Sequence, residues 1–154
     1  YTVTDSPTGW AQTGYGATKK LQSSPASNVY LQAKLSRTLL ALGLHTDNST
    51  NVNIVSPSPI SYFVWRDDGQ TQYQFGGGFT SSGAVYTGAD GDTIRFQRTS
   101  TNTLTVELSQ DNGGTWTVLG TKTGVAGDLF PRLNASAAAS GGAFTSVKCN
   151  GAAI

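Results

Sequence analysis

Between residues 92 and 121 the chain alternates apolar and polar side chains three times in succession, and this period of two narrows its fold more than any other feature. Residues 92–98 (DTIRFQR) set Ile94 and Phe96 against Arg95 and Gln97, and residues 103–109 (TLTVELS) set Leu104, Val106 and Leu108 against Thr105 and Glu107. Residues 115–121 (TWTVLGT) place Trp116 and Val118 on one side. Successive side chains of a strand point to opposite faces, so each segment reads as a strand with one apolar and one polar face. The polar turns at 99–102 and 110–114 join them as an antiparallel meander. A meander with one apolar face packs that face on a second sheet.

The second sheet has candidates upstream. Residues 60–66 (ISYFVWR) are β-branched and aromatic and run into Asp67-Asp68-Gly69, whose Asp-Gly step is a hairpin signal. Residues 70–75 return as a strand and reach Gly76-Gly77-Gly78, where the chain bends freely. Helical spacing is visible only at Leu31, Leu35, Leu39 and Leu42. The same stretch also alternates at 29–31 and 33–35, which favours strands. Further strands are expected at 129–133 and 143–148, separated by a small-residue crossing at 135–142. No repeat and no strong boundary divides the chain. The expectation is one all-β domain over residues 1–154, a two-sheet antiparallel jelly-roll sandwich.

At 154 residues the chain is long enough to close one substantial core. Only 12% of it is charged, about half the usual share. Gly, Ser, Thr, Asn and Gln fill the gap, a surface common on extracellular, cell-surface and virion proteins, where this chain is expected to reside. The basic residues are scattered singly apart from Lys19-Lys20, so no stripe tracks a nucleic-acid backbone. The longest apolar run, 39–44, is far short of a membrane span. No signal peptide is visible, and a chain beginning at Tyr1 without methionine is expected to be a processed product or part of a longer one. Cys149 is alone, which excludes an internal disulfide and leaves zinc without ligands. It reads as a small residue half-buried on the last strand.

Residues 91–98 (GDTIRFQR), followed by a short polar turn and Leu104-Thr105-Val106, resemble the hairpin "GD-x-h-R-h-x-R … h-x-h" (h, apolar) of the concanavalin A-like lectin/glucanase superfamily. Leu42-Gly43-Leu44, the strand at 60–65, the Asp68-Gly69 turn, Leu129-Phe130-Pro131 and residues 144–148 follow in the order such modules show, so the resemblance runs over residues 29–149. Residues 109–116 (SQDNGGTW) also match the Asp-box pattern S-x-D-x-G-x-T-W, similar to hairpins of sialidases and other β-propellers. Asp111 is expected to hydrogen-bond amides of its turn, Gly113 to accept the positive φ the turn needs, and Trp116 to pack across the hairpin. A propeller needs several such blades, and this chain has one pattern.

The chemistry of the superfamily's enzymes is missing. Glucanases that this chain resembles carry an E-x-D-x-E strand, and glycoside hydrolysis uses two carboxylates about 5–9.5 Å apart. Glu107 is the only glutamate, with Thr105, Thr103 and Ser109 as its strand neighbours. His45 is the only histidine, without a nucleophile elbow, and it is expected to be solvated at the mouth of a polar loop. No catalysis, cofactor or metal is therefore expected.

What remains is binding or assembly. Sugar sites set aromatic faces beside amides and charged groups, because a pyranose shows an apolar face and hydroxyl edges. Tyr62, Trp65, Arg66, Gln72, Tyr73 and Gln74, grouped on one hairpin, and Trp10 are the candidates. Alternation sets Tyr62 and Arg66 on one face and Trp65 on the other, so one of the two sets belongs to the core. The expected partner is a glycan or a glycosylated surface. The alternative is a structural module of a virion, tail fibre or surface appendage, whose exposed strand edges support a homo-oligomer.

Overall fold

The structure, a computed structural model, describes residues 15–16, 29–35, 40–46, 61–67, 70–75, 86–87, 89–135, 143–150 and 152–153. These residues form strands and turns only, and among them no helix is long and apolar enough to cross a membrane. In chain order the strands are β1 (Tyr15–Gly16), β2 (Val29–Leu35), β3 (Leu40–His45), β4 (Ser61–Asp67), β5 (Gln70–Phe75) and β6 (Tyr86–Thr87). There follow β7 (Thr93–Ser100), β8 (Thr103–Ser109), β9 (Thr117–Thr123), β10 (Phe130–Ala135), β11 (Phe144–Cys149) and β12 (Ala152–Ala153). The first sheet runs β1-β10-β3-β4-β5-β6 and the second β12-β11-β2-β7-β8-β9. Neighbouring strands pair antiparallel in both.

The fold is the expected two-sheet antiparallel sandwich. Leu40, Leu42, Leu44, Val64 and Leu133 from the first sheet meet Ala33, Ile94, Phe96, Leu104, Val106 and Phe144 from the second in one apolar core. Within 31–44 the described residues, 31–35 and 40–44, lie in two strands, as the alternation indicated. They divide between the sheets, because β2 pairs with β7 and β3 with β4. Cys149 is buried to 2% exposure at the end of β11, more deeply than the half-buried position expected of it.

The residues of the GD-x-h-R-h-x-R segment each have a visible task. Gly91 takes φ +94° in the turn before β7, which glycine adopts without a steric cost. Asp92 closes that turn by accepting a hydrogen bond from the Ala89 amide at 2.7 Å. Ile94 and Phe96 fill the core, and Arg95 faces outward. Arg98, on the core side, is fully buried and donates to the carbonyls of Thr101, Val125 and Gly127 at 2.7, 3.3 and 2.7 Å. It joins the β7–β8 turn to the loop that follows β9.

One feature of the meander departs from the simple alternation. Val106 pairs with Gly120 while Glu107 pairs with Val118, so Leu119 is an extra residue in β9. Such a bulge bends the strand and resets which side chains face inward. Leu119 turns into the core, whereas Val118 is 52% exposed on the outer face. The face shared by Trp116 and Val118 is therefore the outer one.

Candidate functional site

The outer face of the second sheet gathers an organised set of polar side chains. Gln32, Arg95, Glu107 and Val118 stand side by side across β2, β7, β8 and β9, and Tyr30, Gln97, Thr105 and Thr121 form the next row. Directly opposed residues share a face, so each row acts as one strip. Arg95 donates from Nε to Glu107 Oε2 at 2.7 Å and forms an ion pair with it through its terminal nitrogen. Thr105 Oγ1 donates to the other carboxylate oxygen at 3.2 Å. The guanidinium carbon of Arg95 lies 3.9 Å from the centre of the Trp116 ring and 5.9 Å from that of Tyr30. A cation over a ring face is attracted by the ring quadrupole, so Arg95 is held by charge on one side and by π-faces on the other.

The ladder is fixed from both ends. Asn150, with φ 53°, accepts from the Tyr30 amide at 2.9 Å and donates its own amide to the Tyr30 carbonyl at 2.8 Å. At the other end, the turn between β8 and β9 holds Trp116. Asp111 Oδ1 accepts from the Ser109 hydroxyl at 2.7 Å and from the Thr115 amide at 2.8 Å, while Oδ2 accepts from the Thr115 hydroxyl. Ser109 Oγ in turn accepts from the Gly113 amide at 2.7 Å. Asn112 and Gly113 both take positive φ, 62° and 94°, which asparagine tolerates and glycine adopts freely. The Thr115 hydroxyl above all, then the Thr115 amide and the Ser109 hydroxyl, hold the Asp111 carboxyl well below its ordinary value of 3.8. Hydrogen bonds to the charged form favour it.

Beside this turn is a surface pocket of about 320 Å³ lined by Leu108, Gln110, Asp111, Thr115 and Thr117. Leu108 and Thr117 are register partners, which puts the pocket on the core-side face of β8 and β9 where the sandwich opens. Gln110 donates to the Thr87 carbonyl of β6 at 3.0 Å, linking the hairpin to the edge of the first sheet.

The residues singled out on the β4–β5 hairpin are divided by the register. Tyr73 pairs with Val64, faces inward and packs on the core, with its ring 5.2 Å from that of Phe75. Gln72 and Gln74 take the opposite face, where Gln72 is half-buried and Gln74 is 4% exposed. Tyr62 stands opposite Leu44 and Phe75, Trp65 opposite Ala41 and Gln72, and Arg66 opposite Thr71. The side chains of Tyr62, Trp65 and Arg66, and the whole of Trp10, lie outside the described residues. The described candidates therefore do not converge on one aromatic platform. His45 is a correction: it is fully buried, because the centre of the first sheet is covered on both faces. Asn134, the first residue of a glycosylation sequon, is 1% exposed within β10.

Tyr30, Arg95 and Trp116 were not read as a site from the sequence. A signal existed, since folding 92–109 about its turn sets Arg95 opposite Glu107, the only glutamate.

Comparison with solved structures bears on the architecture. The PSpry domain of TRIM65 superposes with a TM-score of 0.66 at 15% identity, over 90% of this chain and 72% of that one. A human SPRY domain superposes with a TM-score of 0.51 at 18% identity, over 96% of this chain and 89% of that one. The sandwich is SPRY-like. No family model matches the sequence, and no curated protein matches it. The resemblance seen in the sequence holds at the level of the two-sheet antiparallel β-sandwich. These likenesses do not bear on the Asp-box pattern, whose hydrogen bonds rest on this chain's own geometry.

Proposed function

We propose that the chain is a non-catalytic module that binds a protein partner through the outer face of its second sheet. The observation that carries this reading is the Glu107–Arg95–Trp116 ladder beside exposed Val118. Arginine and tryptophan are enriched among the residues that dominate protein–protein binding, and they act best when already ordered. Here both are held in place before any partner arrives. The SPRY-like architecture supports the same reading, because SPRY domains are generally protein-interaction modules.

The ladder also argues against hydrolysis. Both carboxylate oxygens of Glu107 are engaged, Oε2 by Arg95 and Oε1 by Thr105, and glycoside hydrolysis needs a second carboxylate beside it. A glycan-binding role rests on Trp10, Tyr62, Trp65, Arg66, Gln72, Tyr73 and Gln74. Of these, Tyr73 is committed to the core.

The test is a random-peptide phage library and a glycan array screened with the same folded protein. The reading expects peptide binders that weaken about tenfold or more in Val118→Lys or Trp116→Ala, with the array silent. Defined glycans on the array and no peptide binder would replace this reading with a lectin.

A further inference from the structure

Three of the four sheet edges among the described residues are blunted by their length. β1, β6 and β12 are two residues long each, whereas β9 has seven residues. Short edges protect a sheet from unwanted pairing, and a long free edge is a template for another strand. β9 is only partly protected, by the bulge at Leu119 and one charge. It has no proline, a single lysine (Lys122), and Thr117, Val118, Thr121, Lys122 and Thr123 are all exposed. Its bulge at Leu119 leaves two flanking runs that present their outer side to solvent.

The two faces of this edge ask for different side chains. A residue paired opposite Thr117 shares its face, which is that of Leu108 and the 320 Å³ pocket. That volume is at the lower end of the roughly 300–1,000 Å³ of small-ligand sites, room for one long side chain. Its lining is an apolar floor (Leu108), amide and hydroxyl groups, and the Asp111 carboxylate. A residue paired opposite Val118 lies on the other face, beside exposed Val118 and the Trp116–Arg95 stack.

We propose that β9 accepts an extended peptide strand of a partner protein at its outer edge, which no described strand covers, with a Lys or Arg side chain of that strand in the Asp111 pocket and an apolar side chain next to it beside Val118. This rests on the protein-binding reading and specifies the partner's chemistry. The main-chain ladder supplies sequence-independent binding, and the alternate pockets supply selectivity, as in other strand-addition complexes. Asp111 is ionised at neutral pH, since its hydrogen bonds hold its carboxyl below the ordinary range. The cationic head of lysine or arginine reaches this charge while its methylene stem covers Leu108.

The peptides recovered from the phage library are the probe. The proposal expects a Lys or Arg directly adjacent to an apolar residue in the recovered sequences. Replacing that basic residue by norleucine, or placing an ammonium in the pocket by Thr117→Lys, weakens binding about tenfold or more. Methylating the peptide's backbone nitrogens one at a time should abolish binding at alternate positions, the signature of a strand ladder. Binders that tolerate every N-methylation, or that lack a basic residue, overturn the edge proposal. If those same binders still weaken in Val118→Lys, the protein-binding reading stands without it. A library that yields no binder overturns both. A dimer in sedimentation that Thr117→Lys dissociates, with no peptide binding, makes the occupant of β9 a second copy and rejects the peptide.

Discussion

Gly120 leaves the space that Tyr73 occupies: a β-carbon on Gly120 would lie 2.5 Å from Cζ of the tyrosine ring and 2.6 Å from its hydroxyl oxygen. The two residues come from different sheets, β9 and β5, so this contact sets how closely the sandwich closes near its open edge. Gly120→Ala forces the ring or the strand aside. Overpacking of this kind costs about 1–3 kcal/mol, read as a lower urea midpoint. Tyr73→Leu in the same chain relieves the collision, so the double variant should lose less than the sum of the single losses. Additive losses would show that the two side chains do not meet.

Arg95 and Glu107 make a second testable pair. Their side chains are 20% and 9% exposed, so solvent screens the arginine more than the carboxylate. Arg95→Ala leaves Glu107 nearly buried with only Thr105 to satisfy it, and removes the cation from the Trp116 face. A loss of about 1–2 kcal/mol is expected after allowing for that screening. Arg95→Lys keeps the charge without the planar fork and should recover only part of it. A double-mutant cycle with Glu107→Gln measures the coupling, and a coupling near zero would reduce the ladder to coincidence.

Asp111 gives a pH prediction whose sign follows from its hydrogen bonds. Its carboxyl is held below the ordinary 3.8 when folded, so the folded state favours the charged form. The stability this contributes is fully present above 3.8 and is lost as pH falls below that value through the folded pKa. The stability difference between wild type and Asp111→Asn should therefore be constant from neutral pH down to about 4 and shrink below it. Carbon NMR of the Asp111 carboxyl should show no titration above that range. A difference that begins to shrink near pH 6 would mean the turn does not hold the ionised form.

The legibility of the fold divides along physical lines. Strands β7 and β8 were readable because each turns apolar side chains to the core face and polar ones to the other, which writes a period of two into the sequence. The facing of β9 was not, since the length of the β8–β9 turn pairs Val118 with outward-facing Glu107 without changing the composition. The β4–β5 candidates were chosen for residue type, but Tyr73 faces the core for a reason that lies far along the chain, the missing side chain of Gly120. Arg98 carries the same lesson. Its phase with Ile94 and Phe96 puts it on the core face, and only the loop at 124–128, featureless in sequence, supplies the carbonyls that make this tolerable.

That arginine yields the last prediction. Arg98 is fully buried, yet its charge faces the Thr101, Val125 and Gly127 carbonyls, and the Val125 amide donates to the Asn102 carbonyl at 3.0 Å. The guanidinium thus fastens two loops that cross at one end of the second sheet. Lysine has one ammonium on a flexible stem and cannot span both loops with a rigid fork. Arg98→Lys should cost about 2–4 kcal/mol, because hydrogen bonds to a charged donor are worth about 1.5–3 kcal/mol and the carbonyls left behind are buried. Arg98→Met removes the buried charge, fills much of the same volume and strands only the acceptors, so it should be no worse than lysine. Hydrogen exchange distinguishes the cause: either variant should speed exchange of the Val125 amide before that of the β7 and β8 strands. Uniform acceleration across the sheet would mean that Arg98 supports the core as a whole and that the two loops are held by other contacts.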